Sequence, residues 1–174
     1  MRRIVILLFL AAGVVCPAAF AQTAAAAPAC PATPTLDSLV KALDAALSGP
    51  ANGDKTCLRD LFLPDARLWP VFKKQDGSVG VRTLTVDEFI SLEATHSGGK
   101  VVYEHQIKII PETYGHIAHL WATYEVRENT LDSKPVVRGI NSFYAVNDGA
   151  RWHFQAIEWE AEKPDTPLPA KYLP

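Results

Sequence analysis

His116-Ile117-Ala118-His119-Leu120-Trp121-Ala122-Thr123-Tyr124-Glu125-Val126-Arg127 is the stretch on which the fold turns. As a strand it alternates, so Ala118, Leu120, Ala122 and Tyr124 share one face and His119, Trp121, Thr123 and Glu125 the other. The first face is small and apolar, suited to lie under helices, and it carries the Tyr124 hydroxyl toward the interior. Similar β-branched and aromatic segments flank it, Val101 to Ile110 before and Val136 to Val146 and Arg151 to Glu160 after. Pro111, the run from Asn129 to Pro135 and the hairpin turn Asn147-Asp148-Gly149 separate them. Consecutive strands with short links predict an antiparallel meander.

Upstream the period becomes helical. Leu36, Leu39, Val40, Leu43 and Leu47 recur at helical spacing behind Thr35, which can cap the start, and Gly49-Pro50 stops the run. Asp54 can cap a shorter second helix that buries Cys57, Leu58, Leu61 and Phe62 and is ended by Pro64. Ala66 to Phe72 reads as a strand in which Pro70 demands an edge position or a bulge, Gln75-Asp76-Gly77-Ser78 supplies a turn, and Val79 to Leu84 returns as a short strand. Thr85-x-x-Glu88 has the form of a capping box and opens a third helix along Phe89, Ile90 and Leu92 toward Ser97-Gly98-Gly99. The expected class is therefore α+β, with three N-terminal helices packed on one face of an antiparallel sheet.

With 174 residues, 17 basic against 19 acidic side chains and a formal charge of −2, the chain suits one domain and lacks the basic stripe of a nucleic-acid partner. Met1-Arg2-Arg3, the apolar run Ile4 to Val15 and the small-x-small Ala19-Phe20-Ala21 have the order of a cleavable secretory signal over residues 1–21. The run is short for a membrane span, which leaves an uncleaved anchor as the lesser reading, and Val15 is a poor neighbour for lipid attachment at Cys16. A periplasmic or secreted protein is expected, free of the membrane after cleavage. Residues 22–34, rich in Ala, Pro and Thr, read as a mobile linker, residues 35–162 as the domain, and residues 163–174, with Pro164, Pro167, Pro169 and Pro174, as an extended tail outside the core. Loss of Cys16 with the signal leaves Cys30 and Cys57 either as disulfide partners in an oxidising compartment or as separate thiols.

Phe62-Leu63-Pro64-Asp65-Ala66-Arg67 entering the first strand, Ala118 to Glu125 in a middle strand, and Arg138-Gly139-Ile140-Asn141-Ser142-Phe143 leading to Asp148-Gly149-Ala150-Arg151-Trp152 follow one another in a characteristic order and spacing. That order resembles the nuclear transport factor 2-like superfamily, the cystatin-like cone, and within it the SnoaL-like branch, from Thr35 to Glu160. The resemblance implies a strongly curved antiparallel sheet bent around a deep hydrophobic pocket, helices closing one side, and an open sheet face used to form a homodimer. Members include isomerases, dehydratases, cyclases and hydrolases of small cyclic molecules beside non-catalytic binding proteins, so function has to be read from the site.

A cone enzyme of this kind implies a carboxylate or His inside the apolar pocket, with a hydrogen-bond donor nearby. Asp65 is the carboxylate at the Pro-Asp-Ala position, or else it caps a turn. His119 is the preferred histidine over His105 and His153, and Tyr124 is either an oxyanion donor or a core tyrosine bonded to backbone. Arg138 could hold an anion or pair across strands with Glu125 or Glu128; Asn141 could orient a polar group; Trp69, Trp121 and Trp159 could form aromatic walls, with Trp121 alternatively on a dimer face. His116 and His119 point to opposite faces of a strand, no metal-ligand spacing occurs, and Gly98-Gly99 follows a helix where phosphate binding needs it to lead into one, so neither a metal nor another cofactor is expected. Three readings follow: an exported binder of a small apolar or cyclic molecule, favoured because no acid-base pair stands out; a cofactor-free isomerase, dehydratase or hydrolase using Asp65 or His119 with Tyr124; and a structural homodimer with a filled interior.

Overall fold

The computed structural model describes residues 29–96 and 99–174. The expected signal at 1–21 and the start of the linker lie outside the described residues. The elements run α1 (Leu36–Leu47), β1 (Gly49–Pro50), α2 (Thr56–Asp60), β2 (Phe62–Lys73), β3 (Val79–Val81), α3 (Val86–His96), β4 (Val101–Tyr114), β5 (Ile117–Arg127), β6 (Val137–Asn147) and β7 (Trp152–Ala161), with a 3-10 turn at Ala170–Tyr172.

Local chemistry sets the helix starts. The Thr35 hydroxyl accepts from the Ser38 N–H at 3.1 Å while the Ser38 hydroxyl serves the Thr35 N–H at 3.0 Å, so α1 begins in a reciprocal cap. Thr85 and Glu88 do the same for α3, at 2.7 Å and 3.2 Å. The second helix is shorter than its apolar pattern implies. It ends at Asp60, its Asp54 carboxylate closes a turn on the Thr56 N–H at 2.9 Å, and Phe62 and Pro64 already belong to β2.

One sheet holds all strands in the order β1-β4-β5-β6-β7-β2-β3. β4 to β7 form the antiparallel meander, but β2 pairs with β7 in parallel, so the sheet is mixed and not wholly antiparallel. A parallel partner needs a long crossover, and everything from β3 to β6 supplies it. Nor are all helices N-terminal to the strands, since α3 follows β2 and β3. Pro70 sits between two neighbours and not at an edge: its carbonyl accepts from the Arg82 N–H at 3.3 Å, and having no N–H to return, it marks the gap between β3 and the isolated Leu68–Leu84 bridge.

Alternation delivers the two faces as expected. Leu120, Ala122 and Phe143 point inward to the core with Leu39, Leu43, Leu58 and Leu61. Register shifts interrupt β4 against β5 after Gln106, β6 against β7 after Tyr144, and β2 against β7 after Phe62, and such bulges bend and twist a sheet around what packs on it.

Both ends of the domain are tied down. Cys30 is bonded to Cys57 with Cα atoms 5.2 Å apart, and Thr33 exchanges bonds with Trp152 at 2.8 Å and 2.7 Å, so the stretch 30–34, expected to belong to the linker, is tied to the domain. The tail folds back onto the outer sheet face. The Lys108 ammonium donates to the Leu173 carbonyl at 2.6 Å, the Thr123 hydroxyl donates to the Tyr172 carbonyl at 2.5 Å, and Tyr172 packs on Trp121 with ring centres 5.8 Å apart. The disulfide closes a loop with a sequence separation of 27. Loop-closure entropy gives such a bridge about 3–4 kcal/mol. Reduction, or Cys57→Ser, is expected to lower unfolding stability by that amount, seen as a lower urea midpoint, with a steeper slope because the uncrosslinked unfolded chain exposes more surface.

Candidate functional site

Between α1, α2, α3 and the inward face of the sheet lies a cavity of about 300 Å³. Most of its wall is apolar, with Leu43, Leu58, Phe62, Phe89, Phe143 and Trp159 contributing, and Phe89 meets Trp159 edge to face at 5.6 Å. Five polar side chains reach it: Lys55, Glu93, Glu104, Tyr124 and Asn141.

Strand periodicity explains the polar end. Glu104 lies opposite Val126, Gln106 opposite Tyr124, and Tyr124 opposite Gly139, all on the inward face. Gly139 is required there, because a Cβ would stand 2.7 Å from the Tyr124 hydroxyl and 2.3 Å from the Glu160 carbonyl oxygen. The glycine lets the phenol lie flat across β6. Beyond Gln106 the bulge at Ile107 turns Lys108 outward to the tail, so the polar inward run on β4 stops at Gln106.

Amides hold the carboxyl group. Gln106 donates from Nε2 to Glu104 Oε1 at 3.2 Å, and Asn141 donates from Nδ2 to Gln106 Oε1 at 3.1 Å. Asp44 of α1 accepts the Gln106 backbone N–H at 3.2 Å with one oxygen, while its other oxygen is buried with no hydrogen-bond partner. Burial first, and the nearby Asp44 charge second, push the Glu104 carboxyl from its usual 4.5 up to about 7, against the pull of the Gln106 and Asn141 amides. Burial likewise raises Asp44, opposed chiefly by the Gln106 hydrogen bonds. The Tyr124 hydroxyl is held well above its ordinary range by burial and then by Glu104, which keeps it a neutral donor. Lys55, also in the lining, is buried, donates to the Ala46 carbonyl at 2.9 Å and faces Glu93, and burial lowers its pKa.

The expected site residues divide. Tyr124, Asn141 and Trp159 line the cavity. Asp65 does not: it is exposed on β2, within the irregular stretch between Phe62 and Arg67, where the chain slips register and Ala66 takes the inward position. His119 faces outward, its Nε2 3.0 Å from the Ser142 hydroxyl and its ring against Tyr144 at 5.0 Å. Asp65, His119 and Tyr124 therefore never meet around one space. Trp69 bonds the Thr83 hydroxyl at 3.0 Å and, being odd in phase with buried Leu68, lies outside the cavity; Trp121 sits under Tyr172 on the outer face. Arg138 stands opposite Glu125 but forms its ion pair with Glu162 at 2.8 Å, because Arg127 has taken Glu125 at 2.7 Å and Lys100 holds Glu128 at 3.1 Å. His105 is exposed, and His153 is bonded to Asp148 at 3.0 Å beside the hairpin turn. Glu104, Asp44 and Lys55 were not singled out. For Glu104 the only sequence signal is its phase, in step with Val102 and Gln106 on a strand whose inward face was otherwise unmarked.

These features define an α+β protein with an internal chamber between helices and sheet. No family model and no curated protein matches the sequence. Solved structures do match. A Nostoc punctiforme protein of unknown function with a cystatin-like fold superposes with a TM-score of 0.55 at 13% identity, over 79% of this chain and 99% of that one. A Parabacteroides distasonis protein described as a candidate ketosteroid isomerase gives 0.50 at 14% identity, over 75% and 90%. A nuclear transport factor 2-like protein of unknown function from Silicibacter pomeroyi gives 0.49 at 16%, over 73% and 92%. The chain has a cystatin-like fold.

A carboxyl group raised in the fold stabilises it fully below the unfolded value near 4.5 and loses that contribution as pH climbs through about 7. Glu104→Gln keeps the shape without the charge. At pH 8 it is expected to be more stable than the parent by roughly 1–3 kcal/mol, and the gain is expected to shrink at pH 5, as urea curves at the two pH values would show.

Proposed function

We propose that this chain is exported and binds a small, largely apolar molecule in the chamber between its helices and sheet. The observation that carries the reading is the cavity of about 300 Å³ whose wall is apolar except for Lys55, Glu93, Glu104, Tyr124 and Asn141. That volume is at the lower bound of ligand pockets, and one polar cluster in an apolar wall is how such pockets orient a guest. A structural protein with a filled interior would leave no such space. Export is supported by the order of residues 1–21 and fits the Cys30–Cys57 bond, since disulfides persist in oxidising compartments. Self-association through the outer sheet face would have to use the strip that the tail leaves uncovered, where Ile110, Tyr114, Ile117 and Tyr144 are exposed.

Binding is tested with the neutral dye N-phenyl-1-naphthylamine. Saturable 1:1 fluorescence enhancement is expected, and Ile90→Trp, which places an indole in the chamber, should weaken it at least tenfold while leaving the circular dichroism spectrum intact. Equal binding by that variant would move the site elsewhere.

One observation favours a second reading, cofactor-free proton transfer. Glu104, at about 7, is poised between acid and base near neutrality, and Tyr124 supplies a neutral donor to an oxyanion; these two take the roles first assigned to Asp65 or His119 with Tyr124. Deuterium exchange from D₂O into the carbon next to the carbonyl of a cyclic enone is the assay. Exchange by the parent, slowed about a hundredfold or more in Glu104→Gln, is the expected result; no exchange by the parent leaves binding alone.

A further inference from the structure

The chamber has a charge problem that its own residues do not solve. Glu104 on β4 and Asp44 on α1 are brought together, and among the described residues neither forms a salt bridge; what they receive are hydrogen bonds from Gln106, its amide to Glu104 and its backbone N–H to Asp44. The cavity's own cation is committed elsewhere, since Lys55 is bonded to the Ala46 carbonyl and faces Glu93. The remaining wall beside Glu104 is rich in ring faces, with Tyr124, Phe143, Trp159 and Phe89 around one space. A carboxylate lacking a counter-ion in an apolar, aromatic enclosure complements a guest that carries the missing positive charge, because attraction in a low-dielectric space is strong and ring faces attract cations. An anionic guest would meet the Glu104 and Glu93 carboxyl groups of the lining, with Asp44 behind Glu104.

We propose that the molecule taken up by the chamber is a small organic ammonium, with its charged nitrogen at Glu104 and its apolar body against Trp159 and Phe89. The proposal rests on the binding reading above and adds the charge class of the guest.

Other groups facing this end are Asp44 from α1, with His105 beside it, Glu93 from α3, and Tyr124 from β5, which also senses Glu160 of β7. Of these Glu104 is the carboxyl placed at about 7, so affinity for an ammonium should grow as pH rises from 5.5 to 8.

The test compares 4-phenylbutylamine, 4-phenylbutan-1-ol and 4-phenylbutyrate by isothermal titration calorimetry at pH 8. The amine is expected to bind at least tenfold tighter than the alcohol, the carboxylate weakest, and the amine's advantage is expected to fall at pH 5.5 and to disappear in Glu104→Gln. Binding of the alcohol to that variant reports that its chamber persists. Equal affinity of amine and alcohol would overturn the charge assignment while leaving the binding reading in place. Preference for the carboxylate would overturn it in favour of Lys55. If none of the three binds and the neutral dye ignores Ile90→Trp, the binding reading itself fails and this inference with it.

Discussion

A carboxyl group enclosed in an apolar chamber is the constraint around which the interior is arranged. Left bare, such a group costs several kcal/mol, and the fold answers with neutral donors. Gln106 reaches Glu104 from the same strand, Asn141 braces Gln106 from β6, and Asp44 fixes the Gln106 backbone from α1. Helix, edge-side strand and central strand thus converge on Gln106 and through it on Glu104. The result is a group that changes charge near neutrality, in a place where a guest could sense it.

Sheet geometry makes that convergence possible. Ala118 and Ala122 keep the inward face of β5 shallow, while Gly139 clears β6 for the Tyr124 ring. The bulge at Ile107 divides β4 into an inward polar stretch serving the chamber and a later stretch whose Lys108 serves the tail. One extra residue in a strand therefore separates two jobs that strict alternation would have mixed.

The outer face answers a different need. Thr123 and Trp121 would present polar and aromatic surface to solvent, and the tail covers both, bonding Thr123 and packing Tyr172 on the indole. Further ties run from Lys73 to Asp165 at 2.7 Å and from Glu162 to the Leu168 N–H at 3.0 Å. This segment is not the extended tail its prolines suggest: a turn closes Lys163 on Thr166, a 3-10 turn spans Ala170–Tyr172, and the whole lies on the sheet as part of the domain.

What the sequence determined by itself was everything written in local periods and caps: the amphipathic α1 behind Thr35, the capping box of α3, the turn at Gly149, and the two-faced β5 that places Tyr124 inward. Those features depend on residues a few positions apart, and short-range sterics and hydrogen bonds decide them. The tertiary structure decided what joins distant stretches. Parallel pairing of β2 with β7, the register slip that leaves Asp65 outside, and the exchange of ion partners that gives Arg138 to Glu162 all depend on which strands become neighbours. Glu104 belongs to this second group: in a list of residues it is one acid among 19, and only the helices laid over its strand take its water away and make it chemically distinct.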